Sequence, residues 1–320
     1  MGPLVSRLIY LAAELRLPDY LADGPKTAEE LAPLTATHAP TLYRVLRTLS
    51  SLGFFTEDGE RRFSLKPLGA ALKSGTPSHA AALLMTGEIM SRSLENFLHS
   101  VKTGGTGFQK AFGLPIFDWL AGRPAEAELF NATMVGIHGK EPAAVGAAYD
   151  FSGFHTIADV GGSTGNMLTT ILGRHAAPRG ILFDLPHVVR DAPVFIQQRG
   201  LTDRIRIETG SFFESVPAGA DAYILSHIIH DWSEEQCLAI LGNCRRAMNP
   251  HGRVLLVEMV LPGGDAPHPG KMLDMLMLIA PGGQERTEPE YSALLDKAGF
   301  RLARVVPTAS PVSIVEAIPR

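Results

Sequence analysis

Apolar residues recur every three or four positions through "LIYLAAELRLPDYL" (8–21) and again through "APTLYRVLRTLSSLGFF" (39–55), a spacing that predicts amphipathic helices. Between them, "TAEELAPLT" opens with Thr27 and Glu30, the pair that exchanges side-chain and backbone hydrogen bonds at a helix start. "FFTEDGERRFSL" then reads as two short strands about an Asp58-Gly59 turn. Three helices followed by a hairpin is the order of a winged-helix module. The helical period returns over 78–147, where Phe108, Phe112, Phe117, Trp119, Phe130 and Met134 supply large apolar side chains. Past residue 155 the pattern changes to apolar runs: "HTIADV", "RGILFD", "RIRIETG", "DAYILSHI", "GRVLLVEMV" and "VSIVEAI". Most are separated by helical or turn-rich segments, which predicts a parallel, doubly wound α/β sheet with ligands at the carboxyl ends of its strands. The expected domains are 1–77, a helical connector 78–147, and 148–320.

Composition narrows the function classes. A net charge of −4 and 45% hydrophobic residues over 320 positions describe a globular protein. No apolar run has membrane-spanning length and no basic segment leads into a signal-like core, so a cytoplasmic location is expected. A winged helix raises the prospect of DNA binding. However, the third helix offers only Arg44 and Arg47, whereas phosphate neutralisation needs a basic cluster, so packing against another domain or subunit is the stronger reading. Cys237 and Cys244, seven apart, read as reduced thiols on one helix face; two thiols without histidine ligands make no zinc site.

The first strand of the α/β half runs into "ADVGGSTGNML" (158–168), where glycines at a strand-to-helix turn let a ligand approach the backbone. Gly161, Gly162 and Gly165 leave Ser163 where the dinucleotide fingerprint requires its second glycine, which weakens a pyrophosphate reading. Asp159, just before the glycines, suits a cationic ligand better than phosphates. Asp184, in "LFDLP", stands where a ribose diol needs a carboxylate; the alternative is that it caps the next helix. "DAYILSH" delivers "HIIHDW" to the sheet's carboxyl edge, and Ser233 with Gln236 resembles a capping box opening the next helix, which leaves His230 in the loop between. His227 reads as a packed or surface histidine. Glu258 is an acid at the end of a buried strand.

"DVGGSTG", "FDLPHVV", "GSFFESVPAGADAYILSHIIHDWSEEQCLAILGNC", "VLLVE" and "GGQERTEPEY" together resemble the successive motifs of the S-adenosylmethionine-dependent small-molecule O-methyltransferases, the plant caffeate and hydroxyindole type with bacterial natural-product relatives. The resemblance covers nearly the whole chain. It implies a Rossmann-like class I methyltransferase domain behind a winged-helix dimerisation domain, hence a homodimer, with no nucleic-acid or membrane partner. It also implies S-adenosylmethionine as donor, S-adenosylhomocysteine as product, and no metal. Asp159 and the glycine loop would cradle the methionine part, Asp184 with Leu185 the ribose, and Gly210, Ser211, Phe212, Phe213 and Ser226 the adenine side. Ser211 and Ser226 depart from plant members, which often carry an acid and a lysine there.

By the same resemblance His230 is the general base that takes the acceptor's proton, with Glu258 and Glu285 receiving the other imidazole N–H. A neutral imidazole can do this for a phenol at neutral pH. Phe108, Phe112, Phe130, Met134, Asp231, Asp274 and Met277 are expected around an apolar substrate pocket suited to a small hydroxylated aromatic. An amine acceptor stays open, as does a chain that binds the cofactor for another reaction.

Overall fold

Leu42, Leu46 and Leu49, spaced three and four apart on the helix Ala39–Ser51, turn one face inward and are almost wholly buried. They meet Leu8, Leu17, Leu31, Phe55 and Phe63 in one core. The computed structural model describes residues 1–320 as two units, 1–102 with 106–139 and 103–105 with 140–320. In the first, helices Gly2–Glu14, Leu17–Tyr20, Ala28–Leu31 and Ala39–Ser51 precede β1 (Phe55–Glu57) and β2 (Phe63–Leu65), an antiparallel pair. The predicted cap forms: Thr27 N–H donates to Glu30 Oε2 at 2.8 Å, and Glu30 N–H to Thr27 Oγ1 at 3.2 Å. The helices Pro77–Thr86 and Pro124–His138 belong to this unit and pack closely, since a Cβ on Gly136 would lie 2.3 Å from Pro77 Cβ. No helix is long and apolar enough to cross a membrane.

The second unit carries β3 (Thr156–Val160), β4 (Arg179–Asp184), β5 (Ile205–Thr209), β6 (Ala222–Ser226), β7 (Arg253–Glu258), β8 (Val260–Leu261), β9 (Arg286–Thr287), β10 (Phe300–Pro307) and β11 (Ser313–Pro319). Seven of these form one sheet in the order β10-β11-β7-β6-β3-β4-β5, while β8 and β9 pair separately. Strand periodicity sorts the side chains: Ile157, Leu182, Ile224 and Leu255 face one layer, and Ala158, Ile181, Tyr223 and Leu256 the other. The five strands from β7 to β5 are parallel, but β11 runs antiparallel to both β7 and β10, so the sheet is mixed where the sequence predicts a parallel one. β10 is absent from the predicted strands because it lies at the sheet's edge with Arg301 and Arg304 exposed, which hides its apolar run. Strand order reverses between β3 and β6, so the turns that follow these two strands open onto one crevice.

Candidate active site

Beyond β3 the chain passes through Gly161 and Ser163, both with positive φ, into the helix Asn166–Arg174. Gly162 is fixed by space: a Cβ there would lie 2.5 Å from Leu182 Cδ1 and 2.6 Å from Asp159 Cγ. The turn therefore rests on the Asp159 carboxyl. Asp159 is 1% exposed, and neither of its oxygens has a hydrogen-bond partner. Burial pushes its pKa up to about 7, against the pull of the Leu168 amide and with the charge of Asp184 adding to the rise. Asp184 accepts from Ser163 N–H at 2.9 Å and from Leu185 N–H at 2.7 Å, so it braces the glycine turn and leaves the next helix uncapped. Burial raises its pKa as well, against those two amides. A buried acid without a partner, a second acid at the adjoining strand end and a turn with no room for Cβ atoms fit a ligand with a cationic end and vicinal hydroxyls.

Beside this turn, Gly210 N–H donates to the Asp184 carbonyl at 3.2 Å, and Ser211 Oγ accepts from Phe213 N–H at 3.3 Å. Phe212 and Phe213 meet at 4.8 Å, each edge-on to Trp232. Asn243 holds the Phe212 carbonyl at 2.7 Å. Leu185 and Phe213 are exposed, and Ser226 ends β6 half-buried.

After β6 the backbone leaves the sheet at His227, whose φ is +53°, and makes one tight turn, Ile229–Asp231, before the helix Glu234–Ala247. The Ser233–Gln236 capping box closes that helix start at 3.2 and 3.3 Å. His230 therefore sits on a short segment pinned at both ends. Its Nδ1 lies 2.6 Å from Glu285 Oε1, with all three groups of the cluster buried: His230 5%, Glu285 4% and Glu258 0% exposed. The two glutamates differ in what they hold. Glu258 Oε2 is 3.6 Å from the ring, while its Oε1 accepts from Ile229 N–H at 2.9 Å. Thus Glu285 orients the ring and Glu258 orients the backbone that carries it. Burial, then the charges of Glu285 and Asp231, push Glu258 well above the usual carboxylate range. Burial raises Asp231 to about 6; its Oδ1 is 3.6 Å from His230 Nε2.

His227 is packed, with Nε2 2.7 Å from Glu141 Oε2 and its ring 5.1 Å from that of His230. Both thiols are free and buried, Cys237 raised by burial to about 11 and Cys244 to about 12. Asp274, expected at the pocket, accepts from Glu285 N–H at 2.8 Å; Met277, on the same helix Pro269–Ile279, is half-buried. In the other unit Phe108 has no exposed surface and packs against Phe112 at 4.7 Å and Trp119 at 5.6 Å, so it is a core side chain there. Phe130 meets Phe117 edge-on at 6.2 Å, and Met134 is half-buried. Two residues of "GGQER" escape the sequence reading. A Cβ on Gly283 would lie 1.9 Å from the His230 carbonyl oxygen, so this turn lies directly on the histidine's backbone. Arg286 is buried in the same place. The doubled glycine was the available signal.

Residues 94–301 match the O-methyltransferase domain and residues 2–75 the O-methyltransferase dimerisation domain. The chain belongs to the O-methyltransferase family. This O-methyltransferase is 46% identical to the phenazine O-methyltransferase of Lysobacter antibioticus, over 99% of this chain and 94% of that one. Its fold is similar to the solved structure of a mitomycin 7-O-methyltransferase, with TM-score 0.95 and 36% identity over 100% of this chain and 95% of that one. It is also similar to an O-methyltransferase of neocarzinostatin biosynthesis solved with S-adenosylmethionine and 2-hydroxy-5-methyl naphthoic acid, at TM-score 0.88 and 31% identity, covering 99% and 96% of the two chains.

Proposed function

We propose that this O-methyltransferase transfers a methyl group from S-adenosylmethionine to a phenolic hydroxyl of a small aromatic molecule, without a metal, with His230 as general base. The observation that carries the reading is the 2.6 Å contact of His230 Nδ1 with Glu285. A carboxylate there accepts the Nδ1 proton, which fixes the tautomer whose Nε2 lone pair can receive a proton. The donor, when bound, supplies an electrophilic methyl and its own sulfide leaving group. The protein has two further tasks, to align the acceptor and to remove its proton. Glu285 favours the imidazolium once formed, and Glu258 keeps the turn from moving as charge develops. On the donor side, Asp159 answers the cationic methionine end, the turn at Gly161, Gly162 and Gly165 admits it, and Asp184 with Leu185 takes the ribose hydroxyls. Gly210, Ser211, Phe212, Phe213 and Ser226 take the adenine side. Relatives named for phenazine and solved with a naphthoic acid support a fused-ring aromatic acceptor, and Asp231 and Met277 are the candidates for its surroundings in the unit that carries His230. The dimerisation domain supports a homodimer.

The test is His230→Gln. Transfer should fall by ~10²–10⁴-fold at neutral pH with S-adenosylhomocysteine binding retained, and alkaline pH should restore part of it with a phenolic acceptor, because phenolate needs no base. Full activity at neutral pH removes the base assignment. Glu258→Gln should cost less, since it keeps an acceptor for the Ile229 N–H.

A further inference from the structure

Arg286 is the single lysine or arginine among the buried residues of the chain, 3% exposed, and the methyl-transfer scheme above does not use it. A guanidinium is costly to bury unless its donors are satisfied in a geometry that suits its fork. Here Nη1 donates to the carbonyl of Ile229 at 3.2 Å and to that of Gln284 at 3.1 Å. Those carbonyls belong to the residues immediately before His230 and Glu285. Nη2 lies 3.8 Å from Cys237 Sγ, and that thiol itself donates to the Ile229 carbonyl at 3.2 Å. One side chain thus joins the two turns whose side chains make the 2.6 Å imidazole–carboxylate contact. The close seating of Gly283 on the His230 backbone shows, independently, that these turns are in register.

We propose that Arg286 is a positioning residue for methyl transfer: its guanidinium ties the turn carrying Glu285 to the turn carrying His230, and its fixed charge offsets part of the carboxylate charge gathered there. This rests on the reading of His230 as the base. Several groups face that imidazole. Glu285 and Glu258 approach Nδ1, Asp231 approaches Nε2, and His227, paired with Glu141, lies against the ring. Asp274 stands behind Glu285, and the thiol of Cys237 and phenol of Tyr291 complete the buried surroundings. The carboxylates favour imidazolium, and Arg286 opposes them. Its field already reaches the neighbours, since it acts to lower the Cys237 and Tyr291 pKa values that burial raises. Removing the charge should therefore raise the imidazole pKa, and the acid limb of the rate profile should move to higher pH.

The experiment compares Arg286→Gln and Arg286→Lys, each alone and combined with His230→Gln, reading kcat against pH, KM for the donor, and S-adenosylhomocysteine binding by calorimetry. Arg286→Gln should lower kcat by roughly 10- to 100-fold with donor KM unchanged, and should shift the acid limb upward. Arg286→Lys keeps the charge and so the limb, but an ammonium cannot reproduce the fork, so kcat still falls. With His230→Gln present, neither substitution should cost more, because both act through the base. Equal losses in the two backgrounds, or a lower melting temperature with wild-type kcat and limb, overturn the proposal. If Arg286→Gln fails to bind S-adenosylhomocysteine, Arg286→Lys decides alone, and a wild-type kcat overturns the tie. An inactive His230→Gln beside a wild-type Arg286→Lys sinks this proposal only, whereas a fully active His230→Gln overturns the base reading and the proposal together.

Discussion

Two clusters of buried acids lie at the carboxyl edge of the same sheet, and they are finished differently. After β6 and β7 the acids are largely answered from within: Glu285 by the His230 ring, one oxygen of Glu258 by the Ile229 amide while its other oxygen has no hydrogen bond, and the turns by Arg286. After β3 and β4, Asp184 is only half engaged by two amides, and Asp159 has no hydrogen-bond partner for either oxygen. On the proposed reading the first cluster is preorganised, holding a proton acceptor in place before any acceptor molecule arrives. The second carries a desolvation cost in the folded chain that a proton or a cationic ligand can offset. If the proposed function holds, one region serves rate and the other affinity, so substitutions in each should move different observables.

Gly283→Ala should give the largest effect and fall on rate alone. The new Cβ at 1.9 Å from the His230 carbonyl must displace one turn, and a shift on that scale costs transfer ~10²-fold or more while S-adenosylhomocysteine binding stays close to wild type. Binding lost in proportion to rate would erase the division between the two clusters. Asp184→Ala should do the converse. Charge-assisted hydrogen bonds contribute about 1.5–3 kcal/mol each, so binding measured by calorimetry should weaken roughly tenfold or more, with kcat at saturating donor little changed.

The smallest effect concerns the ligand-free chain. The folded-state pKa of Asp159 is raised from 3.8 to about 7, so the folded chain holds that proton more tightly than the unfolded one. Its contribution is present below about pH 4 and is lost as pH rises through about 7, leaving a penalty on the order of 4 kcal/mol at most. Asp159→Asn should therefore flatten the loss of melting temperature between about pH 4 and 7. It should at the same time weaken donor binding. An unchanged slope would place the pH dependence in Glu258 and Asp231, which are raised in the same direction.

Most of this was legible where chemistry and period coincide. Asp159 and Asp184 follow apolar runs and precede turns, and the Ser233–Gln236 capping box marked the loop that holds His230. The division of labour between Glu258 and Glu285 was not legible, because both are acids at element ends and only the 2.6 and 3.6 Å distances separate them. Arg286 and Gly283 were missed for a related reason. The contacts that bring them to His230 are with backbone carbonyls more than fifty positions away, which leave no trace in a residue string. Local periodicity likewise reported Phe108 as large and apolar without saying which unit's core it fills.

β11 comes late in the chain yet lies between β7 and β10, with Ile314, Val315, Glu316 and Ala317 fully buried. On a ribosome, more than 300 residues must emerge before this strand can dock. Until then β7, the strand that ends in Glu258, is an open edge with its hydrogen-bonding groups exposed, the kind of surface that recruits other nascent chains. The enzyme therefore acquires its catalytic edge and its protection from aggregation in the same late step of synthesis. Stalled or prematurely released products should be insoluble species rather than weakly active ones.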